Sequence, residues 1–156
     1  MQYRYEMAST IEGVSVEDVW DRVNTWEGVN YELGPLVKMS VPSKYPRVSD
    51  VPADGQCHFA SKILLLGILP IDSHNFALRA IDPPNYFDER SENRMMRLWT
   101  HKRTVTTVGK GVLVTDHCGF EPRLAFLGRM LFWVYNRVFR ARHQRLTRFF
   151  SPSGST

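Results

Sequence analysis

The chain has 156 residues, of which 43% are hydrophobic and 23% charged, and its formal net charge is +4. This length suits a domain that buries its core without covalent staples. The two cysteines, Cys57 and Cys118, allow at most one disulfide and exclude a cysteine-based metal framework. We therefore expect a single domain at residues 1–150, followed by a flexible tail at residues 151–156.

No apolar run reaches the roughly 18 residues of a membrane span, and the charged, alternating N-terminus is unlike a signal peptide. With so few cysteines, we expect a cytoplasmic protein with free thiols and no stable membrane insertion. Basic residues gather near the C-terminus at Arg137, Arg140, Arg142, Arg145 and Arg148. A nucleic-acid patch is one interpretation, but no nucleic-acid motif accompanies the charge, and cations suit the end of a helix. We expect no nucleic-acid partner.

The first elements are predicted to be a strand and two short helices. Residues 2–12 alternate between polar and apolar, which is typical of a strand with one wet face. Ser15 is a candidate N-cap, and the apolar spacing that follows predicts a short helix to about Trp26. Gly28 is expected to break this helix, and a second short turn is expected at residues 29–33.

The middle of the chain is predicted to be mostly strand. The expected strands are residues 36–41, 57–66, 71–82, 86–92, 95–108 and 111–121. Residues 42–55 contain three prolines and are expected to form a long loop. Its length makes it a candidate lid or pocket rim.

Residues 124–150 have the apolar spacing of one long amphipathic helix. Its predicted apolar face comprises Leu124, Leu127, Leu131, Val134, Tyr135, Val138, Leu146 and Phe149. Its predicted polar face comprises Arg129, Asn136, Arg140, His143 and Thr147. Trp133 also falls on the polar side, where an exposed indole indicates a partner surface such as a homodimer interface.

Arg142 falls in the middle of the apolar face of this helix. A buried charge is costly unless it is paired. One interpretation is an anchor for an anionic ligand group. The other, which we favour, is an ion pair with a carboxylate of the sheet, or a side chain that reaches past the sheet edge to water.

This order of elements predicts an α+β fold in two layers. A curved antiparallel sheet of about seven strands would wrap round the long C-terminal helix and leave a cavity between the layers. The two short helices after the first strand would close one end of that cavity.

Four local phrases, in this order, resemble the START/polyketide-cyclase-like superfamily, also called SRPBCC or helix-grip proteins. They are SVEDVW at residues 15–20, LLGILPID at 65–72, WTHKRTV at 99–105, and VTD at 114–116 with FEPR at 120–123. The resemblance covers essentially the whole chain. It implies a hydrophobic pocket for lipids, sterols, polyketides or hormones, in a superfamily that contains both carriers and enzymes.

A two-residue turn at Gly109-Lys110 sets the register of the last two strands, because Val108 then faces Gly111. The expected pairs are Trp99–Phe120, His101–Cys118 and Arg103–Asp116. All of these side chains share one face, since side chains alternate along a strand. The aromatic members indicate that this face is the cavity side.

His101 is the main candidate for chemistry, as a general acid or base that Arg103 and Asp116 would support. The interpretation that we favour is a cross-strand ion pair beside a core histidine, so no catalytic residue is assigned. The remaining histidines lack metal-ligand spacing, and no phosphate loop is present. We therefore expect no metal and no cofactor.

The sequence supports three functional hypotheses. The first is a non-enzymatic binder of a small hydrophobic molecule, such as a lipid or polyketide. The second is a cyclase or dehydratase that uses His101, and the third is a protein-interaction module that uses Trp133 and the basic helix end. The predicted ligand-binding residues are Tyr5, Met7, Phe76, Leu78, Trp99, His101, Phe120, Leu127, Met130, Leu131, Val134 and Arg142.

Overall fold

The computed structural model describes residues 1–151, so most of the predicted tail lies outside the described residues. The elements in chain order are β1 (Tyr3–Glu12), α1 (Val16–Val23), α2 (Trp26–Leu33), β2 (Val37–Met39), β3 (Cys57–Leu65), β4 (Leu69–Asp82), β5 (Tyr86–Asn93), β6 (Met96–Val108), β7 (Gly111–Pro122) and α3 (Gly128–Phe150). Short 3₁₀ turns occupy Val48–Asp50 and Ala125–Leu127. None of the helices within the described part of the chain is long and apolar enough to cross a lipid bilayer.

The strands form one antiparallel sheet in the order β1-β7-β6-β5-β4-β3-β2. The sheet curls into a half-barrel round α3, and the two short helices follow the first strand. The predicted α+β helix-grip fold is therefore confirmed. The predicted register of β6 and β7 is confirmed as well, with Arg103 opposite Asp116 and His101 opposite Cys118.

The region of the two short helices differs from the prediction at Gly28. This residue does not break a helix but lies inside α2, where its N–H donates to the Thr25 hydroxyl that caps the helix, at 3.0 Å. A Cβ at Gly28 would lie 2.0 Å from the Arg22 carbonyl oxygen. Glycine is needed here because the end of α1 approaches α2 closely.

The loop predicted as a lid or pocket rim is packed into the core. Tyr45, Val48 and Val51 are buried, and the Trp26 indole N–H donates to the Tyr45 carbonyl at 2.7 Å. A loop held by this many buried contacts is part of the fixed structure. Of the buried loop residues, Val48 also faces the space between sheet and α3.

The long helix begins later than predicted, at Gly128, after a 3₁₀ turn. Leu131 and Leu146 are buried as expected, whereas Leu124 and Phe149 remain exposed. The prediction that His143 lies on the wet face is wrong, because its side chain is buried. The sheet curves round α3, so it covers a wider arc of the helix than a single apolar stripe.

The interior contains two apolar clusters that are separated by charged side chains. One cluster packs α1, the end of α3 and the middle of the sheet, and the other packs the first half of α3 against β6 and β7. Between them lies a set of side chains that we call the polar layer. It comprises Glu32, His74, Glu89, His101, Arg103, Asp116, Arg142 and His143, all of them buried.

Candidate functional site

A cavity of about 360 Å³ lies between the inner face of the sheet and α3. Its volume falls within the range of small-molecule sites, and its wall is mostly aliphatic and aromatic. Seven of the predicted ligand-binding residues line it: Phe76, Trp99, His101, Met130, Leu131, Val134 and Arg142.

Five predicted ligand-binding residues lie outside the cavity wall. Leu78 and Phe120 are fully buried in the two apolar clusters, and Leu127 packs against the second cluster. Tyr5 is held by edge contacts with aromatic rings of α3, and Met7 is half-buried on β1. The inner face of the sheet is longer than the cavity, so alternation along a strand did not distinguish packed positions from lining positions.

Several lining residues were not identified from the sequence. Trp26, Val29 and Leu33 of α2 close one end of the cavity, although only the general position of this helix was expected. Met95 and Ile71 line the cavity and are also partly exposed. Each of them is an apolar residue beside a turn, and this pattern is too common in sequences to identify the rim of a cavity.

Asp116 is the centre of the polar layer. Its carboxylate accepts two hydrogen bonds of 2.7 Å from Arg103, through Nε and Nη2. It also accepts one bond of 2.9 Å from Nε2 of His101 and one of 2.9 Å from Nε2 of His143. The other ring nitrogen of His143 contacts the Ser9 hydroxyl at 2.7 Å. All the acceptor positions of this buried carboxylate are therefore occupied.

Arg103 bridges two buried carboxylates. Besides its bonds to Asp116, it donates to Glu32 through Nη1 at 2.8 Å and through Nη2 at 3.0 Å. Arg142 reaches the same Glu32 through Nε at 3.0 Å, and Arg145 donates to the Glu32 carbonyl at 2.7 Å. The predicted ion pair of Arg142 is present, but its partner lies on α2 and not on the sheet.

His101 lies between two carboxylates on the cavity wall. Its Nε2 contacts Asp116, and its Nδ1 is 3.7 Å from Glu89. Glu89 also contacts Nε2 of His74 at 2.5 Å and accepts from the Ser91 hydroxyl at 2.6 Å. The polar layer thus continues from α2 to β4 without a break.

The charges of the polar layer stabilise one another. Burial opposes ionisation of Asp116, but Arg103 and His101 hold the pKa of its carboxyl well below the usual range. Burial likewise opposes ionisation of Glu89, and His74 and His101 nevertheless lower its pKa. Burial disfavours the His101 imidazolium, yet the Asp116 carboxylate raises the pKa of His101 above its ordinary value. Both ring nitrogens of His101 face carboxylates, an arrangement that favours the imidazolium form.

This arrangement has limited capacity for chemistry. An imidazolium has no lone pair with which to take a proton, so in that form His101 could act as a general acid but not as a general base. The Cys118 thiol is equally unsuited to nucleophilic attack, because burial raises its pKa. Within residues 1–151, no group of three or more His, Cys, Asp or Glu side chains has the geometry to hold a metal ion.

Trp133 lies on the outer face of α3 and is 61% exposed. The guanidinium carbon of Arg137 lies 5.1 Å from the centre of its ring. The predicted exposure of this indole is confirmed, and the homodimer inferred from it stays a prediction.

Solved structures with the same fold include proteins of several kinds. ZhuI aromatase/cyclase from Streptomyces sp. R1128 has a TM-score of 0.68 at 13% identity, with 96% of this chain and 94% of that chain covered. A START superfamily protein from Mycobacterium smegmatis has a TM-score of 0.68 at 10% identity, with 94% and 96% covered. At these identities the likeness shows the fold alone.

A third similar structure is DynU16, a protein of the dynemicin biosynthetic locus, with a TM-score of 0.58 at 12% identity. The match covers 94% of this chain, which spans only 46% of that longer chain. No curated protein gives a significant sequence match to this chain. One family model matches residues 9–150, and the chain therefore belongs to the family described as Domain of unknown function (DUF8410).

Proposed function

We propose that this protein binds a small hydrophobic molecule in the cavity between the sheet and α3. The observation that carries the proposal is the cavity itself, about 360 Å³ of mostly apolar wall. Protein interiors are normally packed with few voids larger than a water molecule. A void of this size lowers stability unless an occupant fills it, and apolar walls favour an apolar occupant.

The similar structures support the same class of function. One is described as an aromatase/cyclase and another as a START superfamily protein. Lipid-like and polyketide-like molecules both fit a wall of this composition. Met130, Met95 and Ile71 line the cavity and are partly exposed, so we expect such a molecule to enter beside them.

Binding without catalysis is better supported than the cyclase or dehydratase alternative. His101 lines the cavity, as that alternative requires, but both of its ring nitrogens face carboxylates. The alternative predicts that His101→Ala abolishes turnover of a polyketide-like substrate while ligand binding survives. Turnover that survives this substitution contradicts the enzymatic mechanism.

A cytoplasmic location is part of the same proposal. Cys57 is exposed and Cys118 buried, and both are free thiols. Free thiols of this kind suit a reducing compartment. Detection of the tagged protein in cell fractions tests this part of the proposal.

A neutral fluorescent probe tests the proposed binding. N-phenylnaphthylamine brightens in apolar surroundings, so titration of the wild-type protein should give a saturable rise in emission. Val138 lines the cavity, and Val138→Phe should fill part of the space and abolish the rise while circular dichroism stays unchanged. Val108 is exposed on the β6–β7 hairpin, so Val108→Phe adds the same ring elsewhere and should bind normally. Absence of saturable binding by the wild type, or normal binding by Val138→Phe, contradicts the proposal.

A further inference from the structure

We infer that the ligand of this cavity carries a carboxylate, and that the Arg142 guanidinium binds it at the inner end of the cavity. The inference rests on the proposed function and adds the chemical class of the ligand. An apolar body would lie along α3, and an acid group would lie at the polar layer.

Arg142 is only partly used by the protein. Its Nε donates to Glu32, and neither Nη atom has a hydrogen-bond partner within residues 1–151. Its side chain is nevertheless only 9% exposed and lines the cavity. The guanidinium carbon lies 4.7 Å from the centre of the Phe139 ring, which supports one face of the group.

Arg103 provides an internal comparison. It is buried in the same layer, and its Nε, Nη1 and Nη2 atoms all donate to carboxylates. The Nη atoms of Arg142 differ from those of Arg103, because they have no protein partner within residues 1–151 and yet are not among the fully enclosed polar atoms that lack one. They are therefore accessible to a molecule in the cavity. The unused end of Arg142 presents two parallel donors, the geometry that a carboxylate accepts in bidentate fashion.

The shape of the cavity agrees with an elongated acid. The exposed Met130 and the buried Arg142 both line the cavity. They are twelve residues apart on α3, which is about 18 Å along a helix. Leu131, Val134 and Val138 line the wall between them. An apolar chain or fused ring system would therefore contact an apolar wall, with its acid group at Arg142.

The carboxylates of the polar layer do not exclude an anion at this position. Glu89 is paired with His74 and faces His101, and Asp116 is saturated by its four donors. Glu32 does contact Arg142, but it also accepts two bonds from Arg103. Each carboxylate of the layer therefore already has hydrogen-bond partners in the protein other than Arg142, and the Nη atoms of Arg142 remain unused within residues 1–151.

The test compares acids with alcohols of matched shape. Decanoic acid and decanol differ only at the polar end, as do naphthoic acid and naphthalenemethanol, so the two pairs separate flexible from rigid ligands. Each compound displaces N-phenylnaphthylamine from the wild-type protein, and Kd follows from the displacement curve. We expect the acid of at least one pair to bind about tenfold more tightly than its alcohol, the effect of one charge-assisted hydrogen-bonded pair.

Two variants assign that preference to Arg142. Arg142→Gln should remove the preference for the acid, so that the acid and the alcohol of each pair have similar Kd values in that variant. Arg140 is exposed on the same helix, so Arg140→Gln removes the same charge outside the cavity and should keep the preference. An acid preference that persists in Arg142→Gln overturns the inference.

The wild-type comparison decides the question even where Arg142→Gln does not fold. If the acids and the alcohols bind equally well, the inference that the ligand carries a carboxylate is overturned, whereas the proposed function stands. Failure of all four compounds and of N-phenylnaphthylamine to bind overturns the proposed function itself.

Discussion

Replacement of Asp116 by asparagine should destabilise the protein more than any surface charge change. The carboxylate accepts four hydrogen bonds from Arg103, His101 and His143 and is completely buried. Asparagine keeps the shape but removes the charge, and its amide N–H₂ points at groups that are themselves donors. The Arg103 guanidinium would then have one buried carboxylate partner, Glu32, which it shares with Arg142.

The size of the effect follows from the cost of leaving a buried charge without its partner, about 3–5 kcal/mol. For a domain of this length, each kcal/mol corresponds to about 2–4 °C in Tm. Asp116→Asn should therefore lower Tm by about 6–20 °C, as measured by thermal unfolding followed by circular dichroism and by urea titration.

A substitution on the outer face of the β1–β7 pair separates the effect of burial from the effect of losing a charge. Glu6 pairs with His117 at 3.0 Å, but its side chain is 63% exposed. Glu6→Gln should change stability by less than about 1 kcal/mol, since exposed pairs contribute little. Equal losses in Asp116→Asn and Glu6→Gln would refute the view that the polar layer is a buried, mutually dependent network.

Further predictions concern pH and local structure. Arg103 and His101 hold the folded pKa of Asp116 well below its ordinary value of 3.8, so its contribution is present above about pH 4 and is lost as pH falls through the folded pKa. The folded pKa of His101 lies above 6.5, so its contribution is complete below pH 6.5 and is lost as pH rises through the folded value. Urea titrations from pH 6 to 9 should show this decline in the wild type, and a decline of equal size in His101→Gln would contradict it. Ser15→Ala removes the capping box of α1 and should cost about 1 kcal/mol in urea unfolding, so an unchanged midpoint would contradict the cap. A Cβ at Gly128 would lie 2.4 Å from the Tyr3 ring, so Gly128→Ala should cost about 1–3 kcal/mol, and an unchanged Tm would show that the contact relaxes freely.

The parts of the fold set by local rules could be predicted from the sequence. The two-residue turn at Gly109-Lys110 determines the register of β6 and β7, and the observed pairs follow it residue by residue. Alternation along those strands then brings Arg103 and Asp116 together on the inner face. Both results depend only on neighbouring residues, which a sequence contains directly.

The partners of buried polar groups could not be predicted in the same way. Glu32 lies in a short helix, and nothing in its neighbours indicates that it is buried against Arg103 and Arg142. The position of His143 on the helix predicts the wet face, yet Asp116 and Ser9 satisfy its ring nitrogens in the interior. Such pairings depend on the positions of elements that are distant in the chain.

The existence of a cavity could be predicted from the sequence, but the residues that border it could not. A long helix on a curved sheet predicts space between the layers, and the structure contains it. Which residues border that space depends on how deeply α3 and α2 insert. Leu78 and Phe120 on the inner face became packed core, whereas Trp26 and Leu33 of α2 became wall.

Native mass spectrometry of the purified protein distinguishes an occupied cavity from an empty one. We expect a non-covalently bound small organic molecule on the wild type, either retained from the host cells or taken up from a lipid extract. Denaturation should release it, and Val138→Phe should lack it because that substitution fills part of the cavity. A wild-type protein that keeps the mass of the bare polypeptide after incubation with the extract would contradict the claim that this cavity binds a hydrophobic molecule.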